Sequence, residues 1–277
     1  MDDLSHAPLG RHQLSFRAFP GDRGCLLLLH GMLASHHYFS AAVDGTFAPW
    51  RTLLPDLLGF GDSANPAVSF SMKDHLACLA DLVEAEGIPA PLVVGGHSLG
   101  CLIATALAAR LPKGRVAGMV FLNYPRFTSP DGLHETLRNG SSHYRQATDS
   151  LGNPGRDSLL ALSGEAVQRF AGLLPPLLQE EARRTSPRAL AGTTQHCLFG
   201  YRPDEDLDAI SGLPMLFLLS GGDEVAPARF ILERRDDFPL ASWRTFEGAG
   251  HHLLHTHTEQ VVKEIQDFLA RVPRSSS

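Results

Sequence analysis

Short, uninterrupted apolar runs constrain this chain more than any other feature. Cys25 to Leu29, Val116 to Leu122 and Leu213 to Leu219 carry no polar residue on either alternating face. A strand with two apolar faces is one covered on both sides, the situation of strands inside a parallel sheet. None of the runs approaches the roughly 20 residues that a membrane-spanning helix requires. Each must therefore be buried within the protein itself, and segments of helical period lie between them.

Gln13 to Phe19 reads as a strand, Pro20 to Gly24 as a turn and Cys25 to His30 as the first buried strand. A helix-like stretch at Tyr38 to Val43 and a short strand at Arg51 to Leu54 follow. From Ser71 to Glu86, the residues Met72, Leu76, Leu79, Leu82 and Val83 recur at three-to-four spacing, and Ser71 with Asp74 forms a capping box. Pro91 to Gly95 is strand-like, and Leu99 to Leu111 is a helix stopped by Pro112. Beyond Leu219 the pattern predicts a helix over Ala226 to Phe238 and a strand over Ala241 to Phe246. The last helix sets Val261, Val262, Ile265, Phe268, Leu269 and Val272 on one face, with Thr256 and Glu259 as its capping pair.

Such alternation predicts an α/β fold with a mostly parallel central sheet flanked by helices, and 277 residues suffice for one sizeable core. Between Asn123 and Ser211 the alternation stops, and the periodic segments are helical, notably Leu159 to Leu174 before Pro175-Pro176. An insertion of that length in a compact domain is usually functional. It reads as a helical cap, 125–209, inserted after the sixth strand, with 1–124 and 210–277 as the core.

Lys and Arg total 24 against 30 Asp and Glu, a net charge of −6, with no basic run, which excludes a nucleic-acid binder. The start Met1-Asp2-Asp3-Leu4 is acidic and polar where a secretory leader is basic and then apolar. Four cysteines without paired spacing, Cys25, Cys78, Cys101 and Cys197, suit buried thiols in a reducing compartment. The expectation is a cytoplasmic protein without membrane attachment.

The sharpest chemical feature is Gly96-His97-Ser98-Leu99-Gly100, a G-x-S-x-G between a strand and a helix. A residue on so tight a turn adopts a strained backbone, so its neighbours must be small, and the helix that follows directs positive potential at the hydroxyl. A serine hydroxyl needs a base oriented by a third group. Downstream, Ser220-Gly221-Gly222-Asp223 places an acid after a strand, at the sheet edge where open α/β folds carry their sites. Phe246-Glu247-Gly248-Ala249-Gly250-His251 then places a histidine on a glycine-rich loop. The chain order Ser98, Asp223, His251 is the one that accompanies a nucleophile elbow.

At these residues the sequence resembles the α/β-hydrolase superfamily, and the resemblance extends over nearly the whole chain outside the cap. It includes His30-Gly31 after the first buried strand and Asp56-Leu57-Leu58-Gly59-Phe60-Gly61-Asp62-Ser63, similar to the family's D-x-x-G-x-G-x-S segment. The resemblance implies that Ser98 attacks, that His251 accepts and returns a proton, and that Asp223 fixes the histidine tautomer. It also implies an oxyanion hole formed by the backbone N–H groups of Met32 and Leu99. The nucleophile position carries no aspartate, unlike haloalkane dehalogenases and epoxide hydrolases, and the His30-Gly31-Met32 loop lacks the glycine run of lipase-like esterases. A shortened or missing first edge strand is the one departure, since only about twelve residues precede Gln13.

Glu224 is a competing acid by adjacency to Asp223, whereas Asp56 and Asp62 fit loop-holding roles and Glu247 a solvated one. His251 and His255 have the spacing of helical metal ligands, but Gly248 and Gly250 argue for a loop and no accompanying metal motif is present. No metal or cofactor is expected. His97, His36 and His37 are candidates for pocket lining or packing, as are Phe127, Tyr144, Phe170, Phe199 and Tyr201 in the cap. The leading expectation is a serine hydrolase that cleaves a small, fairly apolar carboxylic ester, thioester or lactone through an acyl-enzyme. A triad-bearing lyase, carbon–carbon bond hydrolase or cyclising enzyme is the alternative, and a ligand-binding protein with little turnover is the third.

Overall fold

A computed structural model of the chain describes residues 14–63, 66–127 and 176–273. Among the described residues seven strands form one sheet: β1 (Phe16–Phe19), β2 (Cys25–Leu29), β3 (Arg51–Pro55), β4 (Leu92–His97), β5 (Val116–Leu122), β6 (Met215–Ser220) and β7 (Ala241–Phe246). Their order across the sheet is β1-β3-β2-β4-β5-β6-β7. Of these seven, only β1 runs antiparallel to its neighbour, and the other pairings are parallel.

The apolar runs are buried on both faces because alternate residues enter different cores. In β2, Cys25, Leu27 and Leu29 pack into one cluster while Leu26 and Leu28 pack into the other. On the first face lie α2 (Met72–Ala85) and α3 (Leu99–Arg110); on the second lie α1 (His37–Val43) and α9 (Thr258–Arg271). In α3 every residue from Leu99 to Ala108 is buried, as a helix apolar on all sides must be. The start of α2 is the predicted capping box: the Asp74 amide donates to Ser71 Oγ at 3.2 Å, and the Ser71 amide donates to Asp74 Oδ2 at 2.9 Å.

Between β5 and β6 the described elements are all helical: α4 (Pro176–Arg184), α5 (Pro187–Thr193), a π-helical turn (Thr194–Phe199) and α6 (Asp204–Ile210). The expected helix Leu159 to Leu174 lies outside the described residues, as do Tyr144 and Phe170. Among the described residues this insertion follows the fifth strand, Val116–Leu122, and not a sixth as expected. Among the described residues no helix is long and apolar enough to cross a membrane.

Two boundaries differ from expectation. The stretch Ala226 to Phe238 forms one helical turn, α7 (Arg229–Leu232), and a separate 3-10 turn, Arg235–Asp237. Its start is drawn into a turn around Asp223, which accepts the Val225 and Ala226 amides at 2.8 Å each. Its end is set by Pro239, since the residue before proline is pushed out of the α region, and Phe238 sits at φ −118° and ψ 77°. Thr256 and Glu259 do not cap α9, because the short helix α8 (Leu253–Thr256) directly precedes it and Thr256 Oγ1 donates back to the Leu253 carbonyl at 3.3 Å.

The insertion is tied to α2 through a buried pair: His75 Nε2 and Thr193 Oγ1 are hydrogen-bonded at 3.1 Å. Burial is the main cause that lowers the His75 pKa from 6.5 to about 4. A depressed histidine pKa means that the unfolded chain binds the proton first, so this stability is complete above pH 6.5 and is lost as pH falls toward about 4. His75→Gln is expected to flatten the slope of unfolding free energy against pH across that window by up to about 1.4 kcal/mol per pH unit. Urea titrations at stepped pH check this, and an unchanged slope would contradict it.

Candidate active site

The site grows from the turn between β4 and α3. Ser98 occupies φ 50° and ψ −120°, a left-handed conformation that a side chain rarely adopts. Its amide donates to the Leu122 carbonyl at 3.0 Å, and its carbonyl accepts the Cys101 amide at 2.8 Å. Glycine is required on both sides of the turn. A Cβ at Gly100 would lie 2.0 Å from the Leu29 carbonyl oxygen, and one at Gly96 would lie 2.5 Å from the Gly100 carbonyl carbon. The amide of Leu99, in the first turn of α3, has no acceptor in the helix, so it remains a donor at the site.

Asp223 and His251 come together from two loops at the same sheet edge. Asp223 follows β6, His251 follows β7, and His251 Nδ1 donates to Asp223 Oδ2 at 2.8 Å. That bond leaves the second ring nitrogen, Nε2, free to accept a proton. Burial acts to raise the Asp223 pKa. The adjacent His251 and the bonds from His251, Ala226 and Val225 outweigh it, and the net direction is down. A buried carboxylate therefore stays ionised beside the ring. Glu224 and Glu247 are exposed, and neither pairs with His251. Ser98 Oγ has no hydrogen-bond partner among the described residues.

Met32 is set by the residues before it. His30 is fully buried, accepts the Leu57 amide on Nε2 at 2.9 Å and thereby carries its proton on Nδ1, which donates to the Gly31 carbonyl at 2.8 Å. Burial chiefly lowers its pKa, so the neutral tautomer persists. The Gly31 carbonyl and the Met32 N–H belong to one planar peptide, so holding the oxygen on His30 directs the N–H the opposite way.

Asp56 holds the next loop. Its Oδ1 accepts from the His36 amide at 2.6 Å and from His36 Nδ1 at 2.9 Å, and its Oδ2 accepts the Asp62 amide at 2.9 Å. Gly61, at φ 53°, leaves room for that carboxylate, since a Cβ there would lie 2.4 Å from it. Asp62 itself pairs with Arg184 of α4, and His37 Nδ1 donates to Glu181 of the same helix at 3.1 Å. His36 thus ties two loops of the core together, and His37 links its segment to the insertion.

His97, His252 and His255 gather behind the site. His97 stacks on Tyr38 with ring centroids 4.3 Å apart, and Tyr38 meets the His255 ring at 4.8 Å. Burial is the largest cause that lowers the pKa values of His97, His252 and His255. Among the described residues no group of three or more His, Cys, Asp or Glu could hold a metal ion. Of the aromatic residues expected in the cap, Phe199 is fully buried, Tyr201 donates to Asp206 at 2.6 Å, and Phe127 meets the Phe230 ring at 6.4 Å. Sequence reasoning overlooked Asn123, which is buried at φ 51° and whose Nδ2 donates to the His251 carbonyl at 2.8 Å. A lone asparagine after a strand carries no signal of such a contact, because its partner lies 128 residues away.

Asp56→Ala leaves the His36 and Asp62 amides without their acceptor. It is expected to lower stability by about 2–4 kcal/mol, read as a lower urea midpoint with unchanged slope. A loss below about 0.5 kcal/mol would contradict the role assigned to the carboxylate.

Residues 24–258 match the family model described as alpha/beta hydrolase fold. The magnesium-chelatase 30 kDa subunit of Rhodobacter capsulatus is 30% identical over 247 residues, covering 85% of this chain and 83% of the relative. Lipase 3 of a Moraxella species is 37% identical over 89 residues, covering 32% of this chain and 28% of the lipase. Among solved structures, a thermophilic esterase from Thermogutta terrifontis superposes with a TM-score of 0.73 at 24% identity, covering 98% of this chain and 97% of the esterase.

Proposed function

The chain belongs to the α/β-hydrolase fold family, and from that premise we propose that it is a serine hydrolase of small, fairly apolar carboxylic esters, thioesters or lactones. The observation that carries this reading is the strained Ser98 backbone at φ 50° and ψ −120°, because such strain persists where a turn must present one side chain. The likeness to Lipase 3 supports the same substrate class.

In the proposed reaction Ser98 Oγ attacks the substrate carbonyl carbon while His251 Nε2 takes its proton. Asp223 stabilises the imidazolium through the Nδ1 bond. The tetrahedral oxyanion is held by the Met32 and Leu99 amides, the second of them at the positive end of α3. Collapse expels the alcohol or thiol, which receives the proton from His251. Water then attacks the acyl-enzyme with His251 again as base, and the acid leaves with Ser98 restored. The chemistry needs no metal or cofactor. The insertion expected over 125–209 serves in this reading as a cap that selects the substrate. A reducing, cytoplasmic setting fits the four buried free thiols.

A second reading is favoured by one observation, the match to a magnesium-chelatase subunit over most of both chains. Under it, the protein binds a ligand or partner alongside such a chelatase and turns over esters slowly or not at all.

Steady-state and rapid-mixing kinetics with p-nitrophenyl butyrate separate the two. The hydrolase reading predicts turnover that falls about ten-thousandfold or more in Ser98→Ala and in His251→Ala. Turnover that survives Ser98→Ala would overturn it, and a wild-type protein that folds but releases no nitrophenol would favour the binding reading.

A further inference from the structure

Two buried donors outside the acyl chemistry converge on a single atom behind the proposed base. His97 Nε2 donates to the His251 carbonyl oxygen at 2.8 Å, and Asn123 Nδ2 donates to the same oxygen at 2.8 Å. The two side chains thus occupy the two lone pairs of one carbonyl. Both residues are almost fully buried, at 2% and 1% exposure.

Each donor also belongs to a fixed element of the site. His97 ends β4, directly before Ser98, with its ring stacked on Tyr38. Since its acceptor is a carbonyl, the proton sits on Nε2. Burial, then the neighbouring His251 and His252, hold its pKa well below the ordinary value, so the ring stays neutral. Asn123 follows β5, and its Oδ1 accepts the amide of Ser220, the last residue of β6 and three before Asp223. Its own amide donates to the Leu218 carbonyl at 2.9 Å, and asparagine tolerates the left-handed φ of 51° found there.

The loop that carries His251 has few other anchors. Gly248 has a positive φ of 73°, and a Cβ at Gly250 would meet nothing within 4 Å. The Ala249 carbonyl accepts the Gly222 amide at 3.0 Å, one residue ahead of Asp223, but the backbone of residue 251 itself is gripped through its carbonyl.

We propose that His97 and Asn123 are positioning residues that aim the His251 imidazole by clamping its backbone carbonyl to the residue before Ser98 and to the strand end that leads to Asp223. The proposal rests on the reading of Ser98, His251 and Asp223 as the reacting groups. A displacement of about 1 Å at a reacting atom costs roughly a hundredfold in rate, so loosening the carbonyl acts on turnover more than on substrate binding.

The test uses the full chain and p-nitrophenyl butyrate with His97→Phe, His97→Gln, Asn123→Gly and Ser98→Ala. Phenylalanine keeps an aromatic ring against Tyr38 but removes the N–H, whereas glutamine returns an amide donor. Glycine at 123 suits the positive φ and removes the side chain alone. The expected result is a kcat lowered about tenfold to a hundredfold in His97→Phe and Asn123→Gly, with KM changed by less than about twofold, and recovery of most of that loss in His97→Gln. Equal losses in His97→Phe and His97→Gln would overturn the proposal, as would a kcat within about twofold of wild type in His97→Phe. If Asn123→Gly does not fold, the His97 pair decides alone. Abolished turnover in Ser98→Ala with intact turnover in His97→Phe leaves the hydrolase reading standing and removes only the clamp. Surviving turnover in Ser98→Ala removes both.

Discussion

The left-handed backbone of Ser98 is the constraint on which the rest of the site depends. A strand that reverses into a helix through one residue at φ 50° brings the first turn of α3 against the end of β2, where the Leu29 carbonyl leaves no space for a side chain at residue 100. The two glycines are thus demanded by packing between neighbouring elements as well as by the turn. The parallel pairing of β2 and β4 over Leu28–Gly95 and Leu29–Gly96 places that carbonyl there. Burial of α3 among the sheet and its neighbours then supplies the apolar stabilisation that offsets the strain, which for one such residue is about 1–3 kcal/mol.

Around that turn, loops are held mainly by buried acceptors and donors that seize backbone groups, some a few residues away and some in distant segments. Asp56 holds residues 36 and 62, Asp223 holds residues 225 and 226, and Asn123 holds residues 220 and 251. Each arrangement satisfies polar groups that would be costly to bury alone, so removing one partner is worse than removing both. Histidines complete the pattern as neutral groups. His30 and His97 are kept uncharged by burial, and each uses one ring N–H to fix a carbonyl, of Gly31 and of His251 respectively. The same residue type thus serves as scaffold at 30 and 97 and as the proposed base at 251, with the carboxylate on Nδ1 making the difference.

Much of this was legible in the sequence because it is local. The apolar runs announced strands covered on both faces, the Ser71–Asp74 pair announced the start of α2, and Gly96 and Gly100 announced the turn between β4 and α3. The proximity of Asp223 to His251 could be read from chain order and from their places after two strands. What escaped was set by partners far away in the chain or by competing local bonds. Asn123 meets a carbonyl 128 residues distant, Thr256 closes its own short helix in place of capping the next, and Pro239 together with the Asp223 turn breaks the stretch from Ala226 to Phe238. The sequence leaves His97 open to pocket lining or packing; its ring packs inward and reaches the loop of residue 251, a direction that its neighbours in sequence do not encode.

The central claim is that Ser98 is a nucleophile activated by its surroundings. Its most direct test is intact-protein and peptide mass spectrometry after incubation with a fluorophosphonate, on wild type and Ser98→Ala. The account predicts one phosphonyl adduct on the wild-type chain, mapped to Ser98, and none on the variant. An adduct of equal extent on Ser98→Ala, or an unreactive wild-type protein that is fully folded, would contradict it.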